Sequence, residues 1–527
     1  MERKQEERKQ EECKQEERKQ EVRKQVKRKQ DIRKHGERDK EVLKRLASKP
    51  IAEAVRGRLL IRSRTGRSRR TGLHLSFTPR TAAASSLVLP EGSGLQAQAP
   101  DRTGSKPAAS PFPSDPGVEK NSSLNRQSED LFSCIEYDVI KYMAERTKGD
   151  DDMLIARIDV FPLLLPMSQS FTISNGAVGE ASQGAPHVYV RITADNGVCG
   201  WGEARPSPRW SYETLQTVTS TISRYLRPAL IGLEAKDWRT IHRVMNRDIR
   251  PGLGSGQPIA KAAIDMALHD LIGAAEGRNL AELWYSAPNP GLKLSYLIST
   301  ASPEEAARKA AYAAANGYEA VDVKSGLDPK RDLAIVEAVK SEAPGLYFRV
   351  DANQAYNLPQ AVKLAKQMER IGVDVFEQPL PANQLHGHAE LRRKTALPIA
   401  LDESVWTPGD LMQAIRTEAC DTVVIKVTKM GGLAGAKRCG EMARDAGLDL
   451  LGGGLTESRL GLTASGWLFQ YLEIAYPADL NGPMFLSDDP VETGPDIKEG
   501  KVQLPEGPGI GCVISMQKIE QYAARDD

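Results

Sequence analysis

Five charged residues stand at a nearly constant spacing in the second half of the chain, and each follows a short apolar run. The steps between them are 27, 26, 25 and 24 residues, and the five are Lys324, Asp351, Glu377, Asp402 and Lys426. A strand, a helix and the two loops that join them fill a unit of about this length. The spacing therefore predicts that the five residues end successive parallel strands of one sheet.

The three consecutive carboxylates in this set predict a metal site. Neighbouring parallel strands lie about 4.8 Å apart, so Asp351, Glu377 and Asp402 would converge and repel one another. A divalent cation bound by their oxygens removes that repulsion and leaves positions for water or substrate. Mg²⁺ best suits such ligands, and Mn²⁺ is expected as a substitute.

The two lysines flank the carboxylates on the strands before and after them. Burial and a nearby cation lower the pKa of a lysine toward neutrality, so that it can accept a proton from carbon. We therefore predict that Lys324 and Lys426 form an acid–base pair on opposite sides of the metal. The matching reaction is abstraction of the α-proton of a small carboxylate substrate, with the enolate stabilised by the metal.

Eight short β-rich runs, followed by helical segments, must position these residues. Eight such units close a parallel barrel, and its catalytic groups lie at the carboxyl ends of the strands. The predicted fold class is therefore α/β, with a (β/α)7-8 TIM-type barrel over residues 289–490. The runs are residues 294–299, 320–324, 347–351, 373–377, 399–402, 422–426, 448–454 and 474–479.

Residues 151–288 have a different pattern and predict a separate α+β capping domain. Alternating apolar residues at 154–161 and 187–193 indicate strands, and Asp195-Asn-Gly197 is typical of a hairpin turn. Helical patterns follow at 211–231, 236–247 and 257–276. The C-terminal segment, residues 491–527, is expected to return to this domain.

The net charge of +2 is the sum of two opposite contributions: residues 1–80 are basic, and the rest of the chain is acidic. Residues 1–80 contain 27 basic and 13 acidic residues, whereas the remainder contains 45 and 57. A Lys-Gln dipeptide recurs every five residues between Lys4 and Gln30, a step that builds no apolar stripe on a helix. We interpret residues 1–150 as a low-complexity, disordered basic extension and linker. Nucleic acid is not an expected partner except through this tail.

The sequence also argues against several classes of protein. It contains no run of 18 or more apolar residues, and its N-terminus lacks the apolar segment of a secretory signal. The six cysteines form no C-x-x-C pair, which favours a reducing compartment over a zinc site or disulfide scaffold. We expect no membrane partner and a cytoplasmic location, with organellar import through the basic N-terminal region as the alternative.

Ordered motifs between residues 153 and 515 resemble the enolase superfamily, specifically its muconate lactonizing enzyme subgroup (the mandelate racemase/muconate lactonizing enzyme proteins). The resemblance implies metal ligation by Asp351, Glu377 and Asp402, acid–base catalysis by Lys324 and Lys426, and a homo-oligomer. The motifs are Gly-Trp-Gly-Glu203, Val-Asp-Ala-Asn353-Gln, Phe-Glu377-Gln-Pro, Leu-Asp402-Glu-Ser and Ile-Lys426-Val-Thr-Lys.

Two residues close in sequence to the lysines, Asp322 and Lys429, also need an interpretation. The subgroup commonly has Lys-x-Lys on the second strand, whereas this chain has Asp322-Val-Lys324. Asp322 would raise the pKa of Lys324 and make it a poorer base, unless Asp322 forms an ion pair elsewhere. Lys429, three residues beyond Lys426, is expected to point to the opposite face of its strand.

Four further residues are candidates for substrate contact. By resemblance, Arg205 and Trp210 lie in a cap loop over the barrel mouth, where they would contact a carboxylate or a cation. Asn353 belongs to the same motif as Asp351. Asp479 stands where related amino-acid and dipeptide epimerases use Asp-x-Asp to bind the substrate ammonium group.

Two histidines are assigned to the outside of the barrel. His386 and His388 fall in one barrel helix and are expected at its surface.

Three functional hypotheses remain at this stage. The leading one is a Mg²⁺-dependent isomerase of a small carboxylate: a racemase, an epimerase or a cycloisomerase. The alternative is a lyase that uses the same enolate to expel a β-hydroxyl, such as a dehydratase of a sugar acid or a hydroxyproline-type substrate. The third is an inactive barrel whose basic tail binds nucleic acid or another partner.

Overall fold

The structure is a computed structural model of the chain. It describes residues 152–174, 176–179, 181–252 and 254–525. The predictions for the basic extension and linker at residues 1–150 lie outside these residues.

The capping domain is built on an antiparallel sheet with the strand order β1-β4-β5. Gly197, in the turn between β4 and β5, has a φ of 88°, which a tight hairpin turn requires and glycine permits. A short hairpin, β2-β3, lies between β1 and β4 in the chain. The bounds are β1 Ile155–Leu165, β2 Phe171–Ile173, β3 Gly176–Gly179, β4 Ala185–Ala194 and β5 Cys199–Ala204.

Helices pack against this sheet, and the longest of them, α4, contacts both β4 and β5. It begins with Pro258 in its first turn and ends at Gly277, whose φ of 63° terminates the helix. The bounds are α1 Leu215–Thr221, α2 Arg227–Leu230, α3 Trp238–Asp248 and α4 Pro258–Glu276, with a π-helical turn at Ile222–Leu226 and a 3₁₀ turn at Ala281–Leu283.

Two glycines allow α4 to approach β5 closely. A Cβ atom on Gly200 would lie 2.2 Å from the backbone nitrogen of Leu271, and one on Gly202 would lie 2.1 Å from the carbonyl oxygen of Ala263. Backbone atoms of a buried helix cannot move aside as the end of a flexible side chain can. Helix–sheet packing therefore requires glycine in the Gly-Trp-Gly-Glu203 motif.

Within the described residues, the second sheet has seven parallel strands in the order β13-β12-β11-β10-β9-β8-β7. Most of their side chains are apolar and buried, as the core of a barrel requires, and Asp322 and Arg349 are buried charged exceptions. The bounds are β7 Ser295–Ile298, β8 Ala320–Lys324, β9 Tyr347–Asp351, β10 Val375–Glu377, β11 Ile399–Leu401, β12 Thr422–Ile425 and β13 Asp449–Gly452, with β6 Gly291–Lys293 before them.

The eighth predicted strand is reduced to two residues that join the edges of the sheet. Ala478 forms a parallel bridge to Leu294, and Asp479 forms one to Gly453. Backbone hydrogen bonds of 2.8 and 2.9 Å hold this segment in place. The sheet closes through it, and the predicted barrel with an α+β capping domain is confirmed.

Each barrel helix follows the strand before it, and several begin at a polar N-cap. The side chains of Ser302, Asp328, Asn357, Thr407 and Ser458 accept hydrogen bonds from backbone N–H groups of the first turn. The bounds are α5 Pro303–Ala315, α6 Pro329–Glu342, α7 Leu358–Ile371, α8 Leu385–Arg392, α9 Pro408–Arg416, α10 Leu433–Asp445 and α11 Arg459–Tyr471.

The end of the chain packs along both domains. Strand β16 pairs with β6, and Leu163 in β1 forms an antiparallel bridge to Ala523. No helix in the described part of the chain has the length and apolar composition needed to cross a membrane. The remaining bounds are α12 Gly482–Phe485, β14 Val491–Thr493, β15 Asp496–Lys498, β16 Lys501–Gln503, β17 Val513–Ile514 and α13 Met516–Gln521.

Gly202→Ala is expected to lower the free energy of unfolding by about 3 kcal/mol, because the added methyl group must displace the backbone of α4. Urea denaturation followed by circular dichroism measures this change. Gly345→Ala is the matched control, since a Cβ atom there meets nothing within 4 Å. Equal, small effects of the two substitutions would contradict the close packing of α4 on β5.

Candidate active site

The strand ends bring the five predicted residues to one end of the barrel. Lys324 is the register partner of Asp351, and Asp351 is the register partner of Glu377. Asp402 follows β11 and Lys426 follows β12 directly. Residues that end neighbouring parallel strands share one edge, so the sequence spacing places them correctly.

Lys324 is buried among carboxylates. Its Nζ donates to Asp322 Oδ2 at 2.7 Å and to Asp351 Oδ2 at 2.8 Å. Burial alone would lower the pKa of Lys324, but Asp322, Asp351 and Asp479 together raise it well above its usual range. Of the two alternatives for Asp322, the contact with Lys324 is therefore the one found.

Asp402 binds two lysines on the other side of the site. Lys426 Nζ donates to Asp402 Oδ2 at 2.6 Å, and Lys429 Nζ donates to Asp402 Oδ1 at 2.7 Å. Burial favours a raised pKa for Asp402, but both lysines outweigh it and hold the pKa below its usual range. The prediction that Lys429 points away was wrong, because β12 ends at Ile425 and strand alternation stops there.

Glu377 is fully buried, and its Oε1 has no hydrogen-bond partner. It forms an ion pair with Arg349 Nε. Burial raises the pKa of Glu377 well above its usual range, as do the charges of Asp351 and Asp402, although Arg349 opposes the shift. A divalent cation at this carboxylate would give Oε1 a partner and reduce the repulsion among the three carboxylates.

The predicted metal ligands are held apart in this arrangement. Among the residues that the structure describes, no three carboxylate, imidazole or thiolate side chains gather closely enough to enclose an ion. Asp351 and Asp402 each face a lysine ammonium group instead. The donor chemistry nevertheless fits Mg²⁺, because three carboxylates end neighbouring strands and Oε1 of Glu377 has no partner.

Both lysines line one small cavity, of about 30 Å³. Asp351, Asn353 and Asp479 lie on its wall, and Trp210 covers it from the cap. The Trp210 ring centroid is 4.7 Å from Lys426 Nζ, within the range of a cation–π contact. The predicted substrate contacts Trp210, Asn353 and Asp479 are therefore brought together with the lysines.

Asp479 lies beside the cations of the site. Its Oδ2 is 3.8 Å from Lys324 Nζ and 3.7 Å from a terminal nitrogen of Arg349. Asn481 donates a hydrogen bond to its other oxygen. Burial, with the charge of Asp322, raises the pKa of Asp479 to about 6.

Arg205 does not lie on the wall of this cavity, contrary to its candidacy for substrate contact. It is fully buried, and its guanidinium donates to the carbonyl oxygens of Pro186 and Val178 at 3.3 and 3.5 Å. The carbonyls of β3 and β4 accept hydrogen bonds from its terminal nitrogens, whereas its Nε has no partner. Arg205 therefore fixes the cap strands to one another.

Asn353 links Asp351 to a further acid that the sequence did not single out. Its backbone N–H donates to Asp351 Oδ1 at 2.9 Å, and its side-chain amide donates to Glu403 Oε1 at 3.2 Å. Burial, with the charges of Asp402 and Asp351, raises the pKa of Glu403 to about 8. Asn353 adopts a left-handed φ of 41°, which marks a constrained turn at the strand end.

A buried polar network supports the turn after β10. Gln378 accepts a hydrogen bond from the backbone N–H of Asp402 at 2.9 Å. His388 Nε2 accepts from the backbone N–H of Leu380 at 3.3 Å. The prediction of a surface position is wrong for His388, which faces this turn and is buried, and correct for His386, which is exposed.

Family models match both domains of the chain. Residues 160–284 match the mandelate racemase/muconate lactonizing enzyme N-terminal domain, and residues 305–518 match the enolase C-terminal domain-like family. The chain belongs to the mandelate racemase/muconate lactonizing enzyme family. This family is part of the enolase superfamily, as the sequence motifs predicted.

Curated relatives in this family carry the names of isomerases. The chain is 30% identical over 366 residues to the L-Ala-D/L-Glu epimerase of Bacillus subtilis, which covers 68% of this chain and 97% of the relative. It is 30% identical over 344 residues to muconate cycloisomerase 1 of Rhodococcus opacus, covering 64% and 91%. The chain is thus an enzyme of an isomerase family.

A solved structure agrees with this assignment. The dipeptide epimerase from Cytophaga hutchinsonii, complexed with Mg and the dipeptide D-Ala-L-Val, matches with a TM-score of 0.66 and 26% identity. The match covers 70% of this chain and 98% of that one. This likeness extends over the capping domain and the barrel.

Arg349 is the residue of this enzyme that sequence reasoning missed most clearly. It lies two positions before Asp351 on β9, so the alternation of a strand points both side chains into the barrel. There it contacts Glu377, Asp322 and Asp479. The sequence did contain a signal for it: Arg349 is a basic residue two positions before the predicted metal ligand Asp351, on the same face of the strand.

The stability of the enzyme is expected to fall as the pH drops below 6.5, with His388 as one cause. Burial lowers the pKa of His388 to about 4, so the folded protein disfavours the proton that the unfolded chain accepts below 6.5. His388→Gln should flatten the dependence of the free energy of unfolding on pH between 7 and 5. Urea titrations at several pH values measure this slope.

His386→Gln is the matched control for this experiment, because His386 is exposed on the same helix. It should leave the slope unchanged. The same slope in wild type and His388→Gln would contradict the burial of a neutral His388.

Proposed function

We propose that this enzyme is a racemase or epimerase that moves the α-proton of a small carboxylate substrate, with Mg²⁺ held by Asp351, Glu377 and Asp402. One observation carries the proposal. Lys324 and Lys426 come from different strands, line the same buried cavity, and each contacts a different carboxylate of the predicted metal site. Two amines placed in this way can reach a carbon atom between them from two sides.

The bound metal would supply a positive charge that polarises the substrate carboxylate and stabilises negative charge developing on it. The residues of this chain would hold the ion through carboxylate oxygens. Glu377 is suited to that role, since its Oε1 has no hydrogen-bond partner. Asp351 and Asp402 would give up contacts with Lys324 and Lys426 when they bind the ion.

That exchange of partners would also change the tendency of each lysine to accept or donate a proton. Lys426 pairs with Asp402 alone among the contacting carboxylates, so loss of this partner would leave it beside the Trp210 ring and closer to a neutral amine. Lys324 would keep Asp322 as an acceptor. Lys426 is therefore the better base and Lys324 the better proton donor in one direction of reaction.

The barrel core and the cap together would exclude water from this chemistry. Both lysines and all three carboxylates are buried, and Trp210 and the β2-β3 hairpin lie over the site. Ser174 in that hairpin donates to the carbonyl oxygen of Asn353 at 3.0 Å. A dry site strengthens electrostatic stabilisation of an enolate and prevents its protonation by bulk solvent.

The names of relatives support an epimerase of amino-acid derivatives. The relative from Bacillus subtilis is named for L-Ala-D/L-Glu, and the Cytophaga hutchinsonii structure contains a dipeptide. Asp479, beside the catalytic lysines, would serve such a substrate as the acceptor for an ammonium or amide N–H group. The lyase alternative would use the same residues and differ only in a leaving group on the substrate.

Proton exchange in D₂O tests the proposed reaction. A library of dipeptides and N-acyl amino acids is incubated with the enzyme and Mg²⁺, and loss of the Cα–H signal is followed by NMR. Lys324→Ala and Lys426→Ala are each expected to slow turnover by about 10²- to 10⁴-fold, because each removes one proton-transfer group. Lys498→Ala, at an exposed site, is the control.

Two outcomes would contradict this assignment. A keto-acid product formed with loss of water would identify a lyase. Full activity in Lys426→Ala would exclude the proposed base.

Metal binding is tested without turnover. Mg²⁺ is expected to raise the unfolding temperature of the wild type, because ligand at 100 times its Kd stabilises a protein by about 2.7 kcal/mol. Glu377→Gln should abolish this shift, whereas Glu473→Gln, whose side chain is 84% exposed, should retain it. The same Mg²⁺-dependent shift in both variants would exclude Glu377 as a ligand.

A further inference from the structure

A second cavity, of about 670 Å³, lies next to the small one that contains the lysines. Trp210 belongs to the walls of both. From Trp210 the second cavity extends between the cap and the loops after the barrel strands: Tyr212 lines it from the cap, and Glu403 and Trp406 line it from the loop after β11. A substrate whose reacting carbon lies between the lysines has room for its distal part here.

Three aromatic rings form one wall of this second cavity. The ring centroids of Trp210 and Trp406 are 5.3 Å apart, and those of Tyr212 and Trp406 are 6.2 Å apart. Trp406 is fixed by a hydrogen bond of 2.8 Å from its indole N–H to the carbonyl oxygen of Glu403. Tyr212 is 51% exposed, so part of its ring is available to a bound molecule.

The carboxylic acids on this cavity have no basic side chain beside them in the part of its lining that the structure describes. Among the described residues that line it, Glu403 and Asp410 are acidic, and no lysine, arginine or histidine is present. Asp410 is engaged by the backbone N–H and hydroxyl of Thr407. Glu403 differs, because it is only 4% exposed and its Oε2 has no hydrogen-bond partner.

We propose that the second cavity binds a cationic group, an alkylammonium or guanidinium, at the distal end of the substrate. The faces of Trp210, Tyr212 and Trp406 would attract the cation, and Glu403 Oε2 would accept a hydrogen bond from its N–H group, a contact that favours the ionised form of Glu403. An apolar or aromatic group would leave this buried oxygen without a partner. An anionic group would meet two acids and no base.

This inference rests on the proposed function for the orientation of the substrate, with its carboxylate toward the lysines and its cation toward Trp406. The substrate would then carry opposite charges at its two ends. The inner cavity would hold the carboxylate end beside the metal ligands, and the outer one would select for positive charge.

Binding of a small cation tests the site without any turnover. Choline and its neutral carbon isostere, 3,3-dimethylbutan-1-ol, are titrated against the full-length enzyme, and tryptophan fluorescence and ligand NMR report binding at constant ionic strength. Choline is expected to bind more tightly than the isostere. Tyr212→Leu and Trp406→Leu should each weaken choline binding by roughly tenfold.

Tyr225→Leu is the matched control, since Tyr225 is 55% exposed and lies in the cap away from both cavities. It should bind choline as the wild type does. Because Tyr212 is half exposed, Tyr212→Leu keeps the test valid even where Trp406→Leu does not fold. Equal binding of choline and the neutral isostere would overturn the proposal, as would unchanged choline binding in Tyr212→Leu.

Turnover separates this inference from the function on which it rests. The α-proton exchange of 6-aminohexanoate is compared with that of hexanoate, and the ammonium compound is expected to react faster by at least tenfold. Tyr212→Leu should reduce that ratio. Exchange of both acids at one rate would overturn the cation site and leave the proposed function intact. Choline binding that depends on Tyr212, without exchange of any acid tested, would support the cation site and count against the proposed function.

Discussion

The pairing of buried carboxylates with buried cations at the ends of the barrel strands is the interaction on which the site depends. Lys324 and Lys426 each contact a carboxylate within 2.8 Å in a region from which water is largely excluded. A buried charge without a partner costs several kcal/mol, so each group here is stable only because another compensates it. The proposed catalytic lysines and the proposed metal ligands therefore stabilise one another's charges.

This constraint explains why the barrel must close and why the cap must cover it. The bridges at Ala478 and Asp479 complete the sheet, and Asp479 adds a carboxylate between Lys324 and Arg349. The helix α4 packs closely on β5, and Trp210, in the cap loop that follows β5, lies over Lys426. Residues of the cap and of the barrel thus line the same cavity.

The fold and the positions of the five central residues could be predicted because each strand–helix unit has a similar length. Residues that end successive strands therefore recur at a nearly constant spacing in the sequence. Asp322 was recognised as unusual, but its partner depended on three-dimensional contacts. Lys429 was misplaced because strand alternation was extended beyond the end of β12. His388 was misplaced because its face of α8 packs on the loop after β10, a contact that the local sequence pattern does not indicate. Contacts between elements distant in sequence are what the sequence alone does not specify.

The central claim is that Lys324 and Lys426 reach the α-carbon from opposite sides, and the stereochemistry of exchange tests it most directly. Each enantiomer of an active substrate is incubated separately in D₂O with the wild type, Lys324→Ala or Lys426→Ala. The wild type should exchange both enantiomers, and each variant should exchange only one, with opposite preferences. Loss of the same enantiomer in both variants, or exchange of both enantiomers by either variant, would contradict the account.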